Sequence, residues 1–172
     1  DYRLFSQARC ASQDFLVPVF RQILAIDGPT SAPVILAQDD TLVRKAGRRT
    51  YGTTYARDPL SPAFHVNLVR GQRFVQTSLL RQPRGPNHPW RAIPLSFDLA
   101  PTLKVPRRAT QAEQATVKEF RKKHRLSVVA LAQLRRWREH LDQLPGGPER
   151  PLLDVVDGSY ANRTFLRDLP AH

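Results

Sequence analysis

The sequence predicts an α/β fold in which helices flank a mixed β-sheet. Three observations predict it. Val34-Ile-Leu-Ala-Gln and Leu152-Leu-Asp-Val-Val are short apolar runs that reach aspartates and then break into turn-forming residues. Runs of that length, bounded by turn signals, read as buried strands of a parallel or mixed sheet. Residues 63–99 hold further strand-like stretches separated by Gly and Pro, and residues 110–144 switch to helical apolar spacing.

Taken in order, residues 1–33 are a lead-in helical segment. Phe15, Leu16, Val19, Phe20, Ile23 and Leu24 recur at helical spacing, and Asp27-Gly-Pro-Thr-Ser-Ala-Pro33 ends the run. Strand one, Val34 to Gln38, delivers Asp39 and Asp40. Thr41 to Thr50 follows as a basic loop whose lone glycine fits neither GxxxxGK[ST] nor GxGxxG. Phe64-His-Val-Asn-Leu-Val and Arg73-Phe-Val-Gln-Thr-Ser-Leu-Leu read as a hairpin that turns at Arg70-Gly-Gln. Arg81 to Trp90 is a Pro-rich loop, and Ile93-Pro-Leu-Ser-Phe-Asp-Leu belongs at a sheet edge, because Pro94 cannot donate to a central ladder.

Thr110-Gln-Ala-Glu113 has the capping-box pattern and opens a helix to about His124. Its inward positions are Val117 and Phe120, with Lys118, Arg121, Lys122 and Lys123 outward. A second helix, about Ser127 to Leu144, carries the stripe Val128, Leu131, Leu134, Trp137 (a half-buried ring), Leu141 and Leu144, and Pro145-Gly-Gly-Pro148 stops it. Strand Leu152 to Val156 delivers Asp157, and Asn162 caps a last helix running toward Leu169. Meandering strands, a helical layer and a returning strand are the ribonuclease-H-like order. Residues 34–172 are therefore expected to form a partial domain of that kind, incomplete at its C-terminal end. The chain opens on Asp1 and holds no Met, so it reads as a piece of a longer protein.

Charge narrows the function. The chain has 27 Lys plus Arg against 15 Asp plus Glu, a formal net charge of +12. That balance is the footprint of a polyanion binder, and nucleic acid is the usual one. A membrane partner is excluded as a spanning one, because no apolar run approaches the ~20 residues needed. Cys10 is the lone cysteine, which rules out a disulfide framework and a thiolate zinc site and fits a cytoplasmic protein. The five histidines form no HxxxH or HExxH pattern, and no GxSxG elbow is present. His65 and Cys10 therefore read as packing or surface residues.

Asp40 and Asp157 carry the chemistry. If the two apolar strands are neighbours, these carboxylates converge at one sheet edge, where open α/β folds place their sites. Hard divalent cations prefer such oxygen donors, and a pair of them can activate an attacking oxygen and stabilise a leaving one. Asp39 and Asp154 are nearby rivals, but strand alternation turns Asp39 away from Asp40, and Asp154 away from Asp157. The bland reading makes both aspartates turn residues. Arg44, Lys45, Arg48 and Arg49, with the run 121–125 that includes Lys122 and Lys123, either contact DNA phosphates or form solvated charged faces. The same two readings apply to Lys104–Arg108 and Arg135–Arg138.

Leu36-Ala-Gln-Asp-Asp-Thr-Leu-Val43, the Lys45–Gly52 segment with Tyr55, the Phe64–Leu80 stretch and Val155-Val-Asp-Gly-Ser-Tyr-Ala-Asn162 together resemble the DDE transposases of bacterial insertion sequences, also called DDE superfamily endonucleases. The resemblance runs from about Val34 to Leu169. It implies a ribonuclease-H-like core that cuts and rejoins DNA at mobile-element ends with a two-metal site of Mg²⁺ or Mn²⁺, working as a homo-oligomer on element-end and target DNA. It maps the first acid of the family pattern to Asp40 and the second to Asp157. The family's third acid, a Glu on a later helix, has no match here, so the fragment is expected to be inactive alone. Two other readings stay open: a non-enzymatic nucleic-acid-binding module or decayed transposase remnant, and a host ribonuclease-H-like nuclease.

Overall fold

A computed structural model describes residues 12–27, 31–45, 47, 49–58, 60–62, 64–65, 67–82, 89–160 and 162–170. Its elements are α1 (Ser12–Asp27), β1 (Val34–Arg44), β2 (Thr54–Arg57), β3 (Leu68–Arg81), β4 (Arg91–Ala100), α2 (Gln111–Lys123), α3 (Leu126–Asp142), β5 (Leu152–Val156) and α4 (Arg163–Arg167).

The five strands form one mixed sheet. β3 is antiparallel to β1 on one side and to β4 on the other, and β1 is parallel to β5. The result reads β4-β3-β1-β5 across the sheet, the ribonuclease-H-like order that the element sequence predicts. Gly71 pairs with Arg44 on one side and with Thr54 on the other, so β2 continues the edge of β3 that β4 occupies. Pro94 sits on β4 beside an irregularity in the β3–β4 register, at the edge where its missing N–H costs no ladder bond.

Three predicted elements come out differently. β1 does not stop at Gln38: it runs through both aspartates to Arg44, because β3 offers backbone partners as far as Gly71. Thr41–Arg44 is thus strand rather than basic loop. The expected hairpin at Arg70-Gly-Gln is absent, and β3 passes straight through it. A Cβ on Gly71 would stand 2.6 Å from the Val43 carbonyl oxygen. This glycine therefore answers a close approach between β1 and β3, not a turn. The antiparallel partner of this end of β3 is Thr54–Arg57, and His65 lies exposed in the connection before β3.

α1 and α3 share one face of the sheet. Phe20, Ile23 and Leu24 of α1 join Val34, Leu36, Leu79, Leu95, Leu134, Trp137 and Leu141 in the main buried cluster. Trp137 is 0 % exposed rather than half-buried, because its ring packs on Phe20 and its indole N–H donates to Ser96 Oγ. Burying each such large apolar side chain contributes roughly 1.5–3 kcal/mol. Phe15 and Val19, on the same predicted stripe, remain exposed. The capping box at Thr110 and Glu113 forms as expected, and the Asn162 side chain accepts from the Phe165 amide to start α4, which ends at Arg167. No helix among the described residues is long and apolar enough to cross a membrane.

A buried polar chain ties α3 to the sheet. Gln38 Nε2 donates to Thr77 Oγ1 at 2.9 Å and to the Ala130 carbonyl at 3.0 Å. The Thr77 hydroxyl donates to Gln133 Oε1 at 2.7 Å, and Gln133 Nε2 donates to the Val75 carbonyl at 2.9 Å and Asp98 Oδ2 at 3.0 Å. Asp98 in turn pairs with Arg136. Such a network favours one seating of helix on sheet, with Gln38 Oε1 left buried without a partner among the described residues.

Candidate metal centre

The geometry of the site follows from one register. β1 and β5 are adjacent and parallel, with Gln38 opposite Val156. Asp157 is the next residue after that last pair, level with Asp39, and Asp40 lies one step farther on. Adjacent strands stand about 4.8 Å apart, so Asp40 and Asp157 reach the same end of the sheet from opposite ends of the sequence.

Asp40 shares its face with Leu36 and Gln38, the face that α1 and α3 cover, and its cross-strand partner Val75 is buried. Asp39 points the other way and is exposed. Arg73 of β3 lies diagonal to Asp40 on the same face. Its Nε donates to Asp40 Oδ2 at 3.1 Å, and its Nη2 donates to the same oxygen.

Asp157 leaves the strand and is exposed. Its Oδ1 accepts from the Ser159 amide at 2.7 Å and from the Ser159 hydroxyl at 2.5 Å. The Ser159 side-chain bond, then the backbone one, holds this carboxyl below the usual carboxylate range. It is therefore ionised at neutral pH and its orientation is set by the turn.

Tyr160 follows the Asp157 turn into the interior. It is 1 % exposed, packed with Val75, Ala130, Leu131 and Phe165. Its hydroxyl has no hydrogen-bond partner among the described residues. Burial first, and then the negative charges of Asp40 and Asp39, push the phenol's pKa up, with Arg73 opposing and Asp157 adding. The phenol thus senses all three aspartates and Arg73 at once.

Asp154 takes no part. It pairs in register with Leu36, on the covered face but four residues, about 13 Å, back along the sheet from Asp40. Both its carboxylate oxygens are buried without a partner among the described residues, and burial pushes its pKa up to about 6.

The donors at the strand ends are all hard oxygens, and Asp40 already holds a cationic group. Both facts fit a small divalent cation, which commonly takes one or two protein carboxylates and completes its shell with water and phosphate. Among the described residues no group of three or more His, Cys, Asp or Glu comes together. Asp40 and Asp157 would supply the protein's share.

The basic residues divide. Arg44 lies at the end of β1, on the face of Asp40 and about 13 Å beyond it, with its guanidinium on Asp58 at 2.6 Å. The Lys45 amide donates to the Arg70 carbonyl, and Arg49 is exposed in the following turn. Lys122 and Lys123 are exposed at the end of α2, while Arg121 beside them donates to the Leu103 carbonyl. Arg48 and Cys10 lie outside the described residues. The run on α3 is structural: Arg135 donates to the Asp168 carbonyl and Arg136 to Asp98. Arg138 is buried between Asp142 and the Gly147 and Arg150 carbonyls. Arg135 and Arg138 thus add donors to loop carbonyls, among them that of Gly147, which also accepts from the Arg150 amide.

The sequence nominates the aspartates and assigns no role to Arg73 or Tyr160. Arg73 could be found only from the β1–β3 register. Tyr160 had a signal in its place three residues after Asp157.

A family model described as DDE superfamily endonuclease matches residues 2–172. No curated protein and no solved structure matches. With a match spanning nearly the whole chain and a sheet in the order described above, the chain belongs to the DDE superfamily endonucleases.

Proposed function

We propose that the chain is the front part of a DDE-type transposase catalytic domain, which cleaves phosphodiester bonds at mobile-element ends and transfers the strand to target DNA. The observation that supports this reading best is the parallel pairing of β1 with β5, which brings the chain positions of Asp40 and Asp157 to the same end of two adjacent strands. Bound there, Mg²⁺ or Mn²⁺ supplies Lewis-acid activation of the attacking oxygen and stabilisation of the leaving one. Asp40 and Asp157 hold the charge in place, the Ser159 bonds fix the Asp157 carboxylate, and Tyr160 keeps water from beneath the site. Arg44, Lys45, Arg48, Arg49, Lys122 and Lys123 position DNA through its phosphates, and copies of the protein assemble on element ends.

A second reading, a nucleic-acid-binding module or decayed remnant, draws on the ion pair that already neutralises Asp40. Cleavage assays on the intact protein separate the two. Metal-dependent cleavage of element-end DNA that is lost in Asp40→Asn and in Asp157→Asn, with DNA binding kept, supports the transposase. Binding without cleavage in the wild type favours the module.

A further inference from the structure

The contact between Arg73 and Asp40 differs in setting from two other guanidinium–carboxylate pairs among the described residues. The Arg138–Asp142 pair closes loop carbonyls into a buried clamp, and Arg136–Asp98 extends the polar chain beneath α3. Arg73 instead reaches the candidate metal ligand itself, and both its bonds fall on one oxygen, Asp40 Oδ2. The side chains of Arg73 and Asp40 are 39 % and 17 % exposed, so solvent reaches the pair.

We propose that Arg73 is an exchangeable counter-ion. It neutralises Asp40 until a divalent cation takes the carboxylate, and it then passes to a phosphate of the bound DNA. This rests on the assignment of Asp40 as a metal ligand.

Four physical points carry it. A guanidinium stays protonated at any physiological pH, so only another cation can relieve it of Asp40. With both side chains partly open to solvent, screening weakens the pair, and a divalent ion can outcompete it. The backbone of Arg73 is fixed, paired with Leu42 on one side and Ala100 on the other, so release moves the side chain and leaves its anchor beside the site. The fork of N–H donors that fits a carboxylate also fits a phosphate. By linkage, DNA that accepts Arg73 must tighten cation binding by the same factor as the cation tightens DNA.

The test measures Mn²⁺ affinity by electron paramagnetic resonance for the wild-type chain, Arg73→Gln, Asp40→Asn and Arg44→Gln, without DNA. The expected result is about tenfold tighter Mn²⁺ in Arg73→Gln and at least tenfold weaker in Asp40→Asn, each tenfold change being ~1.4 kcal/mol. Arg44→Gln, which removes a charge but no contact with Asp40, should change it less than about twofold, in keeping with screening. If Arg73→Gln binds Mn²⁺ no tighter than Arg44→Gln while Asp40→Asn is weakened, the exchange is overturned and Asp40 stands as a ligand. If Asp40→Asn is unchanged, the metal assignment itself falls.

A second measurement needs no variant and covers the case in which Arg73→Gln does not fold. The Arg73 Nε–H nitrogen resonance of the wild type should shift and broaden on Mg²⁺ titration, and an unmoved resonance at saturating Mg²⁺ overturns the exchange. The phosphate step has its own readout. With Ca²⁺ in place of EDTA, the salt slope of DNA binding should steepen by about 0.9, one phosphate's worth, in the wild type and not in Arg73→Gln. Equal changes in the two proteins overturn that step.

Discussion

Gln38 of β1 and Val156 of β5 stand opposite each other in parallel register. That pairing places Asp157 beside Asp39 and one step from Asp40. It also puts Gln38 under the site, where its side-chain amide grips Thr77 and α3. The acids are therefore carried on a part of the sheet whose position is set by a buried hydrogen-bond chain.

In the intact protein, Asp40→Asn and Asp157→Asn should each lower DNA cleavage by more than the roughly 10–100-fold typical of outer partners of a metal site. DNA affinity should change little. Gel cleavage and filter-binding assays on the same preparations check both halves, and retained cleavage in either variant removes that residue from the site.

Gln133→Ala should destabilise the fold by roughly 2–4 kcal/mol. It removes the acceptor of the Thr77 hydroxyl and a donor to the Val75 carbonyl and to Asp98, and each buried group left without a partner costs about 1–3 kcal/mol. The midpoint of urea unfolding measures it. A double-mutant cycle with Gln38→Ala should show coupling, because the two side chains share one network.

Asp154 makes stability depend on pH in a defined sense. Burial raises its folded pKa from 3.8 to about 6. The folded state therefore binds the proton more tightly than the unfolded one, and the contribution is full below about pH 4 and lost as pH rises through about 6. Asp154→Asn, which carries no charge to bury, should gain on the wild type across that window. The gain should reach on the order of 1–2 kcal/mol after allowance for the solvent-screened part of the group. Thermal melts of both proteins across the window read it, and a constant difference sinks the idea.

Gly71→Ala should cost about 1–3 kcal/mol, the usual range for forcing atoms into a packed site. The added carbon meets the Val43 carbonyl oxygen and the Leu42 side chain, so β1 must move away from β3. Amide exchange along β1 should speed up from Leu42 to Arg44 before it does at Leu36.

What was legible in the sequence was local. The capping box at Thr110 and Glu113 is written in four residues, and β5 is an apolar run between Pro151 and the Asp157 turn, so both come out as read. The misreadings are non-local. Gly71 looks like a turn residue, and only the pairing of β3 with β1 shows that it is there to let two backbones close up. Thr54–Arg57 is four residues long and half polar, and becomes a strand because β3 needs a partner there. The α3 arginines look like a solvated face, yet carbonyls at Gly147, Arg150 and Asp168 claim two of them. Asp40 is nominated by its place after an apolar run, whereas Arg73 is not, since its pairing with Asp40 follows from register alone.

The parallel pairing of β1 with β5 also sets an order of events on the ribosome. β1 finds β3 soon after both emerge, but its other edge is filled only by residues made more than a hundred positions later. Until then the nascent chain carries a long strand with one row of open amides and carbonyls, a template for pairing with any other extended segment. The half-made protein holds Asp40 without Asp157, so it is exposed to aggregation while the proposed metal pair is still incomplete. Arrival of β5 ends both conditions in one step.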